Sequence, residues 1–361
     1  MISKKILFIS LNNGSDIRIR KELVSLAEFS KVTFFGISKY KNNMKVQNVK
    51  YINFQRSYKN FFNLILYITN LINHILKNKF DNLHIVDEEL YILLFFFLLL
   101  LKPFKKLFVI LDIFDSIYLK NNISPFKINK LLFRLYLSQI DQLIITDKNR
   151  LQLYPKSLDK IKNAITLENY PYKVNIENNI SIKNTIYIAY IGTLSKARGS
   201  LYLSKLIKRY ENIKIVSMGL VYDEFTSSFL KNNNKVSFYG NLSTDEMNNI
   251  LIKNVHYLFL YYPPTSLNNI YSSPNKIYDA INLKIPILVN NDTKSSNFVT
   301  KNNIGMNYAL NHIMSKNKIE KLIINYKEYK KELKKLKDLD IYNWNFIKYK
   351  LINSHKISQK N

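Results

Sequence analysis

Seven glycines in 361 residues leave so few places for a sharp turn that the position of each one constrains the fold. Gly14, Gly36, Gly192, Gly219 and Gly240 each follow an apolar, β-prone run directly or within a few residues. Those runs occupy 6–11, 32–35, 186–191, 213–218 and 236–239, and helix-like periodicity follows most of them. Further strands are expected at 83–86, 107–112, 142–146, 257–261 and 286–289. Strands alternating with helices predict an α/β fold built on parallel sheets covered on both faces.

A chain of this length exceeds one ordinary core, and two domains of about 150 residues each are expected. The pattern breaks into two blocks, each opening with a strand and a glycine turn as a doubly wound nucleotide-binding domain does. The expected boundaries are a first domain at 1–169, an Asn-rich linker at 170–185, a second domain at 186–338 and a helical tail at 339–361. Residues 316–337 are highly charged and helical in pattern. The single tryptophan, Trp344, is expected to dock the last helix back on a domain surface.

The net charge of +28 attracts phosphates, nucleic acid or an anionic membrane face. Lys, Asn, Ile, Tyr and Phe are abundant together, so part of the charge reflects biased composition and a solvated basic surface. With no cysteine, disulfides, thiolate nucleophiles and zinc–thiolate sites are excluded. The run 6–11 reads as a strand without a small-residue cleavage site, and a cytoplasmic location is expected. Residues 90–101 form an apolar run of twelve, short of the roughly 20 needed to cross a bilayer. A buried core helix is expected there, with a helix lying on the membrane as the alternative.

Two segments carry residues suited to binding. In 271–289, Tyr-Ser-Ser-Pro-Asn-Lys-Ile-Tyr-Asp leads through a helix into a buried-type strand, with Ser273 as N-cap and Pro274 in the first turn. That start aims free backbone N–H groups outward, with Lys276 and Asp279 three apart on the helix surface. A cation, a carboxylate and a helix N-terminus suit a sugar nucleotide. In 186–199 a strand feeds the loop from Gly192 to Gly199, where Lys196 and Arg198 add positive charge. Arginine can grip a phosphate with two parallel hydrogen bonds. Asp16, Arg18, Arg20, Lys21 and Glu22 are expected to be mostly a charged helix face, and Gly14 the residue that brings backbone toward a ligand.

This order of elements resembles the nucleotide-binding half of the two-domain, GT-B-fold glycosyltransferases, specifically retaining family 4 and its bacterial capsule and O-antigen branch. Ser273, Pro274, Asn275, Lys276, Ile277, Asp279, Ala280 and Pro286 are similar to that family's S-P-N-K-L-x-E-Y-M-A-x-G-x-P. Asp16-Ile-Arg-Ile-Arg-Lys-Glu22 resembles its D-x-R-V-x-K-E, Asp81-Asn-Leu-His-Ile-Val-Asp87 its D-x-x-H-x-x-D, and Leu111-Asp-Ile-Phe-Asp115 its Y-D-x-H-D. The likeness touches segments from about residue 6 to residue 305. Departures are Thr193 for an Arg, Arg198 for a Lys, Tyr271 for the first of two glutamates, Lys284 for a Gly and Phe114 for a His.

The resemblance implies GT-B architecture: two doubly wound Rossmann-like domains facing a central cleft, the first for acceptor and the second for a nucleotide-sugar, with a C-terminal helix docking back. It implies that Gly192, Thr193, Arg198, Asn275 and Lys276 hold the donor diphosphate and Asp279 the ribose. His84 and Asp112 are the implied catalytic residues, and Gly14, Ser15, Asp87 and Asp115 the implied acceptor-side loops. The implied reaction transfers a sugar, with retention, to a glycan or lipid-linked acceptor of surface polysaccharide synthesis at the anionic inner face of the cytoplasmic membrane. No metal or other cofactor is expected, because a departing diphosphate needs positive charge more than a strong acid. Two competing readings are a GT-B-fold glycan- or nucleotide-binding protein with little turnover, suggested by Thr193, Tyr271 and Phe114, and a basic nucleic-acid-binding protein. No nucleic-acid partner is expected, since the cations are dispersed and no recognition motif accompanies them.

Overall fold

The β-branched and aromatic runs that lead into glycines form parallel strands, since side chains buried on both faces suit a sheet covered above and below by helices. In the computed structural model, which describes residues 4–357 apart from 43, 123–134, 136, 155–162, 176–177 and 273–274, the chain divides into two units, Met1–Asn169 with Ile347–Asn361 and Tyr170–Phe346. The first unit carries β1 (Lys5–Ser10), β2 (Lys31–Ile37), β3 (Val49–Phe54), β4 (Asn82–Val86), β5 (Phe108–Ile113), β6 (Gln142–Ile145) and β7 (Asn163–Thr166). Their order across the sheet is β3-β2-β1-β4-β5-β6-β7. The second carries β8 (Ile186–Leu194), β9 (Ile213–Val221), β10 (Val236–Phe238), β11 (Tyr257–Leu260), β12 (Ile287–Asn290) and β13 (Gly305–Tyr308), ordered β10-β9-β8-β11-β12-β13.

Both sheets are doubly wound, with the strand order reversing between β1 and β4 and between β8 and β11. Crevices for ligands in such sheets lie at the carboxyl ends of the strands flanking the reversal. Gly14 stands in the loop after β1, and Gly192 lies near the carboxyl end of β8. Strands β3, β7 and β13 were not legible in the sequence. The first and the last two lie at sheet edges, where half-exposed or very short runs such as Val-Lys-Tyr-Ile-Asn-Phe lack a continuous apolar signature.

In the first unit, α1 (Ile17–Ala27) is capped by the Asp16 carboxylate, which accepts from the backbone N–H of Arg18 and Ile19. Helices α2 (Phe61–Lys77) and α3 (Glu88–Leu101) lay Tyr67, Leu71, Ile75, Leu90, Tyr91, Leu94 and Leu98 against the buried side chains of β1, β4 and β5. The run 90–101, expected as a buried core helix, is buried on that stripe alone; its opposite side is exposed. No helix among the described residues is long and apolar enough to cross a membrane.

The second unit contains α4 (Ser200–Arg209), α5 (Asn275–Leu283) and the charged α6 (Lys316–Asp338). The stretch 170–185, expected as a linker, is bonded to this unit: Val174 N–H donates to Asn282 Oδ1 at 3.0 Å and Lys337 Nζ donates to Val174 O at 2.8 Å. Trp344 opens the last helix, α7 (Trp344–Ser354). It is fully buried and donates its backbone N–H to Pro171 O. From Ile347 onward the chain belongs to the first unit.

Candidate functional site

At the carboxyl end of β8 the backbone turns sharply, with φ of +90° at Gly192 and +102° at Gly199. A Cβ on Gly192 would stand 3.5 Å from Lys276 Cε, and one on Gly199 only 2.7 Å from the Tyr261 ring. Both glycines therefore bring main chain against side chains carried by later elements. The loop between them is held by Tyr190, whose hydroxyl accepts from Ser195 N–H at 2.8 Å and donates to Ser195 O at 3.0 Å. Lys196 N–H donates to Asp223 Oδ2 at 2.7 Å.

These turns leave a cavity of about 240 Å³ whose lining includes Gly192, Thr193, Arg198, Tyr261, Tyr262 and Lys276. The Arg198 guanidinium lies over the Tyr262 ring, 5.0 Å from its centre. Lys276 is pushed down to about 8, first by burial and then by the charge of Arg198, against an opposing effect of Asp279. Two cations that disfavour each other's charge in one cavity form a site that an anion completes. Of the six residues expected around the donor, Gly192, Thr193, Arg198 and Lys276 converge here. Asn275 and Asp279 share α5 with Lys276 without lining the cavity. Ser273 and Pro274 lie outside the described residues. Tyr190, Tyr261 and Tyr262 were missed, because a tyrosine near a strand end in a chain with 26 of them carries no signal.

In the first unit, Gly14 adopts φ +80° and donates its N–H to Asn12 Oδ1 at 2.7 Å. Ser15 Oγ donates to Asn13 Oδ1 at 2.7 Å. Asp87, at the end of β4, holds φ +66°, a costly conformation for a non-glycine residue. Its Oδ1 accepts from the N–H groups of Phe114 and Asp115 at 2.9 and 3.2 Å, and burial raises its carboxyl to about 6. Asp115 is half exposed and lies 3.5 Å from Arg150. Asp87, Phe114 and Asp115 thus form one knot beside the sheet reversal.

His84 and Asp112, expected as catalytic residues, have no exposed surface. Nor is the 16–22 segment a charged helix face: Arg18 and Glu22 are buried with them. Arg18 donates through Nε to Glu22 Oε1 and through Nη2 to Asp112 Oδ1, both at 2.8 Å. Its guanidinium stacks 4.2 Å from the centre of the Phe114 ring. Phe114 is therefore positioned by this cluster. The i,i+4 spacing of Arg18 and Glu22 offered a sequence signal for their pairing; burial of the pair did not show.

Glu22, His84 and Asp112 also present one ligand atom each within 4.8 Å of one another. The hydrogen-bond wiring fixes what those atoms are. Asn82 Nδ2 donates to His355 O at 2.8 Å and faces His355 Nδ1 at 3.2 Å, so Nδ1 accepts. His355 Nε2–H then donates to His84 Nδ1 at 3.0 Å. The proton of His84 is left on Nε2, 3.5 Å from Asp112 Oδ2 and 3.7 Å from Glu22 Oε2. A metal ligand would need a lone pair at that nitrogen. Burial first, then the Asp112 charge, pushes the Glu22 carboxyl well above the usual range, and burial lowers His84.

No protein-family model matches the sequence, and no curated protein matches it. Solved structures do match in three dimensions. HepE of Anabaena, crystallised with UDP and glucose, superposes with a TM-score of 0.69 over 98% of this chain and 99% of its own, at 11% identity. A glycosyltransferase from Rickettsia africae gives 0.67 over 99% and 98%, at 14% identity. WaaG, a glycosyltransferase involved in lipopolysaccharide biosynthesis, gives 0.63 over 98% and 100%, at 12% identity. Two doubly wound parallel sheets of seven and six strands, matched end to end by these proteins, give this chain the GT-B fold.

Proposed function

We propose that the protein is a nucleotide-sugar-dependent glycosyltransferase. The observation that carries this reading is the cavity at β8, where Arg198 and Lys276 share a small space beside a glycine-lined backbone at a sheet reversal. In this reading Arg198 and Lys276 bind the donor diphosphate. Their charge stabilises the diphosphate as the sugar–oxygen bond breaks, so the leaving group departs without a strong acid or a metal. Asp279, one turn along α5, is assigned to the ribose and Asn275 to the phosphates.

Binding of UDP and glucose by HepE and the involvement of WaaG in lipopolysaccharide biosynthesis support a glycan or lipid-linked acceptor of surface polysaccharide synthesis; retention of configuration is what the resemblance of the sequence motifs implies. Gly14, Ser15, Asp87 and Asp115 are assigned to the acceptor side. His84 and Asp112 act through Arg18 and Phe114 as positioning residues.

Thermal stability against a panel of UDP-, GDP-, CMP- and dTDP-sugars tests the proposal. A donor at 100 times its dissociation constant adds about 2.7 kcal/mol of stability. One nucleotide should stabilise the wild type and lose its effect in Arg198→Ala and Asp279→Ala. A folded protein that no nucleotide stabilises overturns the reading.

A further inference from the structure

We infer that α2 and α3 form a two-helix platform that docks on an anionic lipid surface. Solvent-facing positions of a globular helix are normally polar. On α3 the outward positions are Ile92, Leu93, Phe96, Leu99 and Leu100, with Phe96 75% and Leu100 71% exposed, and Phe104 beyond the helix end reaches 87%. The neighbouring α2 adds Phe61, Phe62, Ile65, Leu66 and Leu76, with Phe62 79% exposed. The two helices pack side by side within the first unit, and Lys105 Nζ ties their far ends by donating to Ile75 O and Leu76 O at 2.8 and 2.9 Å. A patch of this many contiguous large apolar side chains exceeds what a solvated surface carries by chance.

The charges around the patch select its occupant. Lys59, Lys77, Lys79 and Lys106 are exposed at the ends of the two helices, and α2 contains no acidic residue. On α3, Glu88 is buried and Glu89 alone is an exposed acid. A second copy of the chain, related by a two-fold axis, would set lysines against lysines across the contact. Anionic headgroups complement the same lysines while acyl chains take up the phenylalanines. At 14 residues α3 is too short to span, so it lies in the interface plane. Both helices begin at the carboxyl edge of the sheet, beside the Gly14 and Asp87 loops, which puts an acceptor carried by the lipid surface next to the loops assigned to it. This extends the glycosyltransferase reading and rests on different residues.

Sedimentation of the full chain with phosphatidylglycerol-containing vesicles and with pure phosphatidylcholine vesicles tests it. The wild type should sediment with the anionic vesicles at least tenfold better than with phosphatidylcholine. The Phe62→Ser/Phe96→Ser/Phe104→Ser variant should lose at least tenfold in binding while keeping its circular dichroism spectrum and nucleotide-induced stabilisation. Equal sedimentation of wild type and variant overturns the inference, as does a wild-type dimer in scattering experiments that the variant abolishes. Nucleotide stabilisation is read on the same samples, so failure of donor binding with vesicle binding intact counts against the enzyme reading alone.

Discussion

His355 Nε2 lies 3.0 Å from His84 Nδ1, which joins the last helical segment of the chain to the middle of its first sheet. The bond has a direction, from the tail inward, because Asn82 donates into the other nitrogen of His355. It passes through His84 toward Asp112 and Glu22, and through Arg18 to Phe114. A residue near the end of the sequence thus sets the resting position of a loop beside the sheet reversal.

Replacing His355 by Ala removes the partner of His84 Nδ1 and of Asn82, both fully buried. An unsatisfied buried polar group costs about 1–3 kcal/mol, and urea unfolding at pH 7.5 should show a loss of that size or more. His355→Gln, which can still donate to His84, should recover part of it.

Burial holds the folded-state pKa of His84 and His355 below 6.5. The unfolded chain therefore binds more protons as pH falls through 6.5, and stability contributed by the neutral pair, complete above that value, is lost on acidification. Between pH 8 and pH 5 the urea midpoint of the wild type should therefore fall relative to that of His355→Gln.

Glu22 has the opposite sign. Its folded-state carboxyl is raised from 4.5, so its contribution is complete below 4.5 and is lost as pH rises toward the folded value. Glu22→Gln keeps the shape and one acceptor of the neutral carboxyl without that dependence. The stability of this variant relative to wild type should rise between pH 4.5 and pH 8.

Lys276 titrates at about 8 in the empty cavity, and a bound diphosphate favours its charged form. Nucleoside diphosphate affinity measured by calorimetry should weaken as pH passes above about 8, with proton uptake on binding. Lys276→Ala should flatten that profile, and Arg198→Ala should cost roughly 1.5–3 kcal/mol of binding, the worth of hydrogen bonds to a charged group.

Gly199→Ala should also weaken the donor. Its added Cβ would meet the Tyr261 ring at 2.7 Å, in a backbone conformation strained for any L residue. About 1–3 kcal/mol of stability should be lost, with nucleotide affinity falling because Tyr261 lines the cavity.

Much of this architecture was legible in the sequence because glycines and strand periodicity are local. Gly192 and Gly199 announced their turn, and Arg198 and Lys276 could be paired through the order of elements. What was illegible depended on distance along the chain. Nothing local to His84 shows that His355 will cap it, and nothing in Asp16 to Glu22 distinguishes a buried ion pair from a solvated helix face. Strands β3, β7 and β13 escaped because edge positions do not demand continuous apolar residues. The run 90–101 was read as core; only a neighbour's placement shows that half of it faces outward.

The assignment of Ile347–Asn361 to the first unit also has a bearing on how the chain is made. Synthesis proceeds from the N-terminus, and domains generally fold in that order as they emerge. Here His84 and Asn82 wait with unmet hydrogen bonds until Tyr170–Phe346 has been made and the His355 segment follows it. The earlier-made unit is thus the later to be finished, and a ribosome that stalls within the second unit leaves the first without its closing piece.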